Sequence, residues 1–262
     1  MPAPCFILDY SGSKYRESKQ IKNLKIDYEK YDTVIEPFGG SFGFSRYLFY
    51  DLKHTHFNFI VCDADDELID FYNYLKNLII KNEHEQFFKL YTLEAEKLYL
   101  KCKYEKTTSK AHLLDVKKMR EFFKTYTHDD PFLAYIVKKN HFNLCLSLRR
   151  AVYKRNTGFT EIFKRTTFLK KKFEELPDEM LYNKKNLVYL DPPYLTTDNS
   201  TYDTQFNLNT IFEKIEKMLK NGNVMFIHQY NFLINRVFSF APSITYKKMT
   251  EHTCFYRAIE CV

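Results

Sequence analysis

The sequence predicts an α/β fold with a doubly wound sheet and a helical insertion. Three observations carry this. Short apolar, β-branched runs alternate with amphipathic stretches at both ends of the chain. The strand pattern stops between about Glu83 and Glu179, where helical periodicity takes over. Glycine is scarce, with only 6 in 262 residues, against about 18 at average usage. Yet Gly39, Gly40 and Gly43 cluster between the first predicted strand and the first predicted helix. Strand, glycine turn, helix, strand, helix is how a doubly wound sheet begins.

Each element has its own signal. Thr33–Phe38 is short, β-branched and apolar, hence a buried strand. Ser41–Lys53 reads as a helix with Phe44, Leu48 and Leu52 on one face. Phe57–Asp63 is a second strand. Asp65–Ile80 is an amphipathic helix with acids in its first turn, where the helix dipole favours them. Gln86–Tyr104, Ala111–Tyr126, Pro131–Lys139 and Thr160–Leu176 read as helices. The α/β rhythm then resumes with a strand, Leu187–Leu190, and a helix, Leu208–Asn221, stopped by Gly222. Asn223–His228, Ser243–Lys247 and Phe255–Val262 are further strands, the last two a terminal hairpin. The expected organisation is a first half-domain over 1–82, a basic helical insertion over 83–180 and a second half-domain over 181–262.

The net charge of +7 is unevenly spread. Lys101–Lys172 holds 19 Lys and Arg against 6 Asp and Glu, leaving 21 against 27 elsewhere. A basic segment in an otherwise acidic chain suggests a polyanion-binding face; a lysine-rich solvated surface is the plainer alternative. The abundance of Lys, Phe, Tyr, Ile and Asn fits an AT-rich genome, viral or bacterial. Cys5, Cys62, Cys102, Cys145, Cys254 and Cys261 show no CxxC spacing and read as free thiols of a reducing compartment, such as the cytoplasm of a cell or of an infected host. The histidines lack HxxxH or HExxH spacing, so no metal is expected. The start of the chain has no signal-peptide pattern, and no apolar run approaches membrane-spanning length.

The string Leu187–Asp198 (LVYLDPPYLTTD) carries the chemistry. A buried strand ends in Asp191-Pro192-Pro193-Tyr194. The prolines fix an extended turn at the strand's carboxyl end, which is where open α/β sheets bind ligands. Asp191 can accept a hydrogen bond from an exocyclic amine, and the Pro192 carbonyl a second. Tyr194 offers a face on which a base stacks. Two acceptors on one amine direct its lone pair at an electrophile, which suits methylation of adenine N6 or cytosine N4.

These residues, with others in order, resemble the Dam-type DNA adenine-N6 methyltransferases, in which the cofactor motif precedes the recognition domain and DPPY comes last. Tyr10 to Lys14 is similar to the family's N-terminal cofactor element. Ile35 to Ser41 (IEPFGGS) is similar to its cofactor loop, with Pro37, Phe38, Gly39, Gly40 and Ser41 lining the donor. Asp63, before Leu68, Ile69, Tyr72 and Asn73, matches the acid that binds the cofactor ribose. Asp191, Pro192, Pro193 and Tyr194 match the catalytic motif. The resemblance implies a class I methyltransferase (Rossmann-like) mixed sheet with an inserted basic target-recognition subdomain. It also implies S-adenosyl-L-methionine as methyl donor, DNA as partner and a flipped adenine as substrate. The Gly loop and helix N-terminus suit the donor's carboxylate and close backbone approach. For Asp63 the plain alternative is a helix cap, a role open to Asp65 and Asp66.

Two departures matter. The family's loop reads FxGxG, whereas here Phe42 stands at the second glycine. Either the loop is shifted by one residue, with Gly43 taking over, or the pocket is damaged and the chain binds nucleic acid without chemistry. The recognition segment echoes the family only loosely. Arg149, Arg150, Lys154 and Arg155 are expected to contact phosphates, and Tyr202 the flipped base. Activity on RNA adenine or on cytosine N4 remains an alternative.

Overall fold

The computed structural model describes residues 8, 15, 24, 26–104, 122–123, 125–139, 159–192, 208–247 and 251–257. The chain divides into two compact units, one of residues 13–69 and 165–262, the other of 1–12 and 70–164.

The first unit is built on a seven-stranded sheet. Its strands are β1 (Thr33–Glu36), β2 (Asn58–Asp63), β3 (Thr166–Lys170), β4 (Asn186–Leu190), β5 (Val224–Gln229), β6 (Ser243–Lys247) and β7 (Glu251–Arg257). The order is β3-β2-β1-β4-β5-β7-β6. β1 to β5 run parallel, and β7 lies antiparallel between β5 and β6. β1 pairs with β2 on one side (Glu36 opposite Val61) and with β4 on the other (Ile35 opposite Val188). The chain therefore reverses its winding at β1 and β4, the point where such sheets hold ligands.

Parallel strands covered on both faces read as continuous apolar runs, and these do. One face packs Ile35, Val188, Leu190, Val224 and Phe226 against α7 (Leu208–Asn221). That helix contributes Ile211, Ile215, Met218 and Leu219, a stripe at helical spacing. Burying each such side chain stabilises by about 1.5–3 kcal/mol. By strand alternation, Val34, Phe59, Val61, Leu187 and Tyr189 face the other way, and all are buried. There Phe44 of α1 (Gly43–Tyr50) stacks on Tyr189 at 4.2 Å and 7°.

The second unit is helical where described. Residues 70–80 of α2 (Asp66–Ile80) belong to it, with α3 (His84–Tyr104), α4 (Pro131–Lys139) and α5 (Thr160–Arg165). Its core is aromatic: Phe71 meets Tyr135 at 5.2 Å, Tyr72 meets Phe163 at 5.9 Å, and Tyr74 stacks on Phe132 at 4.1 Å. α4 starts where sequence rules put it. The Asp130 side chain accepts the amides of Phe132 and Leu133 (2.8 and 3.1 Å), with Pro131 in the first turn.

Three elements differ from expectation. The helix expected over Thr160–Leu176 stops at Arg165, and Thr166–Lys170 is β3, paired with β2 from Phe59–Thr166 to Asp63–Lys170. A β-branched and aromatic run (TTFLK) suits a strand, and the open edge of β2 selects it over the local helical pattern. Phe232–Val237 forms a helix, α8, that had no helical expectation. β7 begins at Glu251 rather than Phe255, and its hairpin with β6 has the expected antiparallel sense. The short α6 (Asp178–Leu181) precedes β4. Most of the expected helix Ala111–Tyr126 lies outside the described residues.

Candidate active site

Three carboxylates collect at the carboxyl ends of adjacent parallel strands. Glu36 ends β1, Asp63 ends β2, and Asp191 follows β4. Neighbouring strands stand about 4.8 Å apart, so β1 carries Glu36 between the other two.

The loop from Pro37 to Phe42 is tied to β2. The Gly39 amide donates to the Cys62 carbonyl at 2.7 Å. A Cβ on Gly39 would stand 2.3 Å from Val61 Cγ1 and 2.9 Å from the Cys62 oxygen, so only glycine fits. Gly40 turns left-handed at φ 45° and donates its amide to Asp63 Oδ2 at 2.8 Å. Asp63 Oδ1 accepts the Asp65 amide at 2.9 Å. Burial pushes the Asp63 carboxyl above its ordinary range, against the lowering effect of the Asp65 and Gly40 amides. The helix-cap role falls to Asp65, whose side chain accepts the Leu68 amide at 3.0 Å. Asp63 thus ties the loop, through Gly40, to the turn that enters α2, through Asp65.

Phe42 stands immediately before the helix. Gly43 is the first residue of α1. Phe42 itself adopts the left-handed conformation, φ 37° and ψ 53°, at a cost of about 1–2 kcal/mol for a residue with a Cβ. Its ring is fully buried and meets Phe168 of β3 edge-on at 5.7 Å. Burying a phenylalanine is worth about 1.5–3 kcal/mol, enough to offset the strain. The side chain lies in the core.

Glu36 is the site residue that motif reading passed over. It is 2% exposed, and its Oε1 accepts the Ser45 amide at 2.7 Å. Burial pushes its carboxyl up to about 7; the Ser45 and Phe44 bonds oppose this, and the charge of Asp191 adds to it. First-turn amides have no partner within their helix, and here Glu36 supplies one. The expectation that this helix N-terminus serves an incoming anion is modified accordingly, because the Ser45 amide is already engaged. The signal was available: an acid ending a buried apolar strand just before a helix.

Asp191 is half-buried and Pro192 buried. Two residues earlier on the same face, Tyr189 is fully buried, with no hydrogen-bond partner for its hydroxyl among the described residues. Burial and the Asp191 charge push its phenol well above the ordinary range. Ser41 is buried and Phe38 half-buried, the latter 5.3 Å from Phe173. Pro193, Tyr194, Tyr10, Lys14, Arg149, Arg150, Lys154, Arg155 and Tyr202 lie outside the described residues. Tyr15, next to Lys14, is buried with the Arg46 guanidinium 4.9 Å from its ring centre.

Among the described residues, one group brings three metal-ligand atoms within 4.8 Å: Glu29, His54 and His56. His54 Nδ1 lies 3.0 Å from Glu29 Oε1, a surface ion pair when the imidazole is charged. The group precedes β2, whereas Asp63 ends it, roughly 20 Å along the strand at about 3.3 Å per residue. Among the described residues no helix is long and apolar enough to cross a membrane.

No curated protein matches the chain. The family model of D12 class N6 adenine-specific DNA methyltransferases matches residues 10–244. That span runs from the Tyr10 element through both glycine loop and DPPY string to β6. It agrees with the mixed sheet and with the acids gathered at its switch point. The chain therefore belongs to the D12 class N6 adenine-specific DNA methyltransferase family and is a site-specific adenine methyltransferase of DNA.

Proposed function

We propose that this chain transfers a methyl group from S-adenosylmethionine to N6 of an adenine flipped out of duplex DNA. The observation that carries the proposal is the Gly39–Gly40 loop bonded to Asp63, one strand away from Glu36 and two from Asp191. The donor set fits the cofactor. Asp63 is partly exposed, with the Gly40 amide on Oδ2 and the Asp65 amide on Oδ1. A carboxylate offers about four lone-pair sites, so capacity is left for ribose hydroxyls. Gly40 and Ser41 offer backbone without a large side chain, and Pro37 and Phe38 a flat apolar wall. The cofactor supplies an electrophilic methyl group.

The chain's own residues orient the acceptor. Asp191 accepts one hydrogen of the adenine amine, and the Pro192 carbonyl accepts the other. Both hold the nitrogen lone pair toward the donor. Tyr194 stacks on the base; such stacking is worth about 1–3 kcal/mol and offsets part of the cost of extrusion. Tyr10 and Lys14 contribute to cofactor binding, as the resemblance implies. Residues 83–180 act in target recognition, with Arg149, Arg150, Lys154 and Arg155 on phosphates and Tyr202 near the flipped base. The buried free thiols of Cys62 and Cys254 suit a reducing compartment.

The family favours an active enzyme over an inactive nucleic-acid-binding module, and the Phe42 ring packs on Phe168 of β3. The family favours adenine in DNA over RNA or cytosine N4. Asp191→Ala tests the assignment. Methyl transfer should fall by about 10²–10⁴, while calorimetric titration shows donor binding unchanged. Transfer at the wild-type rate would remove Asp191 from the mechanism.

A further inference from the structure

The segment after β5 carries five exposed apolar side chains. Tyr230, Phe232 and Leu233 are 43%, 70% and 70% exposed, Val237 is 61% exposed, and Phe240 is 47% exposed with Lys220 Nζ 5.4 Å from its ring centre. Single exposed apolar residues need no account, but a cluster of five within eleven residues does. The segment is well anchored. Asn231 caps α8 by accepting the amides of Leu233 and Ile234 (2.9 and 3.2 Å). Ile234 and Phe238 are buried in the sheet core. The Tyr230 amide donates to the Glu251 carbonyl at 2.7 Å. A helix held this firmly presents its outer face in a defined place.

That place is the edge of the sheet that bears the site. β4 and β5 are parallel neighbours, with Leu190 opposite Phe226. Asp191 and Pro192 follow β4 at the same edge at which Tyr230 follows β5. Phe232 and Leu233 come next, in the first turn of α8. From Tyr230 to Ala241 the one charged residue is Arg236, so no carboxylate on this segment repels a polyanion. On the base-flipping reading above, DNA presented to Asp191 would approach this end of the sheet. A duplex from which a base has been extruded exposes unstacked base faces, which apolar side chains cover at kinked or opened steps.

We propose that Tyr230, Phe232 and Leu233 form an apolar contact surface for the DNA flanking the extruded adenine. The proposal rests on the base-flipping reading above. The chain has no tryptophan, so Phe232→Trp places a single reporter indole on the face. The probe is a fluorescein-labelled duplex carrying the sequence found methylated in cells that express the protein. The indole emission should fall by half or more as the duplex saturates, with binding followed independently by anisotropy. Unchanged emission at saturation overturns the proposal. A change in emission with protein concentration alone, accompanied by dimer in sedimentation, also overturns it, because a second copy then covers the face. In parallel, 2-aminopurine at the target position of the wild-type complex reports flipping. Brightening without indole quenching rejects the surface alone; no brightening rejects the flipping reading. The double variant Phe232→Ser, Leu233→Ser should raise KM for DNA about tenfold and leave donor affinity unchanged, whereas an unchanged KM overturns the proposal.

Discussion

Gly39 and Glu36 carry the local mechanics of the site. An alanine at 39 would drive its Cβ into Val61 and into the same Cys62 carbonyl that accepts the residue's amide. Forced overpacking of this kind costs about 1–3 kcal/mol, or roughly 2–4 °C in Tm for each kcal/mol in a chain of this size. Gly39→Ala should therefore melt lower and bind S-adenosylmethionine at least tenfold more weakly by calorimetry. Wild-type affinity would mean that the loop does not line the donor. Glu36 predicts a pH effect. Its folded carboxyl sits at about 7 against an ordinary 4.5, so the folded chain keeps a proton that the unfolded chain has lost. Its contribution to stability falls as pH rises from about 4.5 to 7. Asp63, also raised, acts in the same sense. Buried His228, held down at about 4 against 6.5, acts oppositely and loses stability as pH falls through that range. Above about pH 6.5 the His228 contribution is complete, so the remaining decline reports Glu36 together with Asp63. Glu36→Gln keeps an oxygen for the Ser45 amide and should reduce the fall of Tm between about pH 6.5 and 7. An unaltered slope would assign the decline to other groups.

β3 shows how an element far away in sequence supports the glycine loop between β1 and α1. Its Phe168 packs on Phe42, the residue that bears the left-handed strain. Truncating a buried phenylalanine costs about 3–5 kcal/mol, and here it also removes what holds the turn. Phe168→Ala should lower Tm and weaken donor binding together, because the Phe168 ring packs on Phe42 in that loop. Lower Tm with wild-type donor affinity would separate strand from loop. The sequence marked Phe42 as the odd residue but left open how the loop would respond. The answer lay in a strand that the local pattern concealed. Thr166–Lys170 follows a helix with no Gly or Pro between, and its partner is more than a hundred residues upstream. By contrast α7 and the hairpin of β6 and β7 were legible, because their spacing signals are local. The place of Asp63 at the end of an apolar strand was legible too, and the structure adds its bonds from the Gly40 and Asp65 amides.

For the whole molecule, the uneven charge makes the prediction. If Lys101–Lys172 is the footprint, affinity for DNA should fall with salt at a log–log slope of about −0.9 per neutralised phosphate. Replacing Arg149, Arg150, Lys154 and Arg155 by Gln should flatten that slope by about 0.9 for each phosphate no longer neutralised. A slope equal to wild type in filter-binding titrations would move the footprint elsewhere. The sequence by itself determined the α/β class, the strand that runs into Asp191 and Pro192, and the order along the chain of glycine loop, Asp63 and the DPPY string. These follow from local rules: periodicity, β-branching, and the few residues that permit a turn or carry a charge. Only the tertiary structure decided that Phe42 turns left-handed with its ring in the core, that Glu36 is buried on the Ser45 amide, that β3 joins the sheet edge, and that Tyr230, Phe232 and Leu233 stand exposed beside the site. Each of these depends on what an element meets across the fold, which spacing along the chain does not encode.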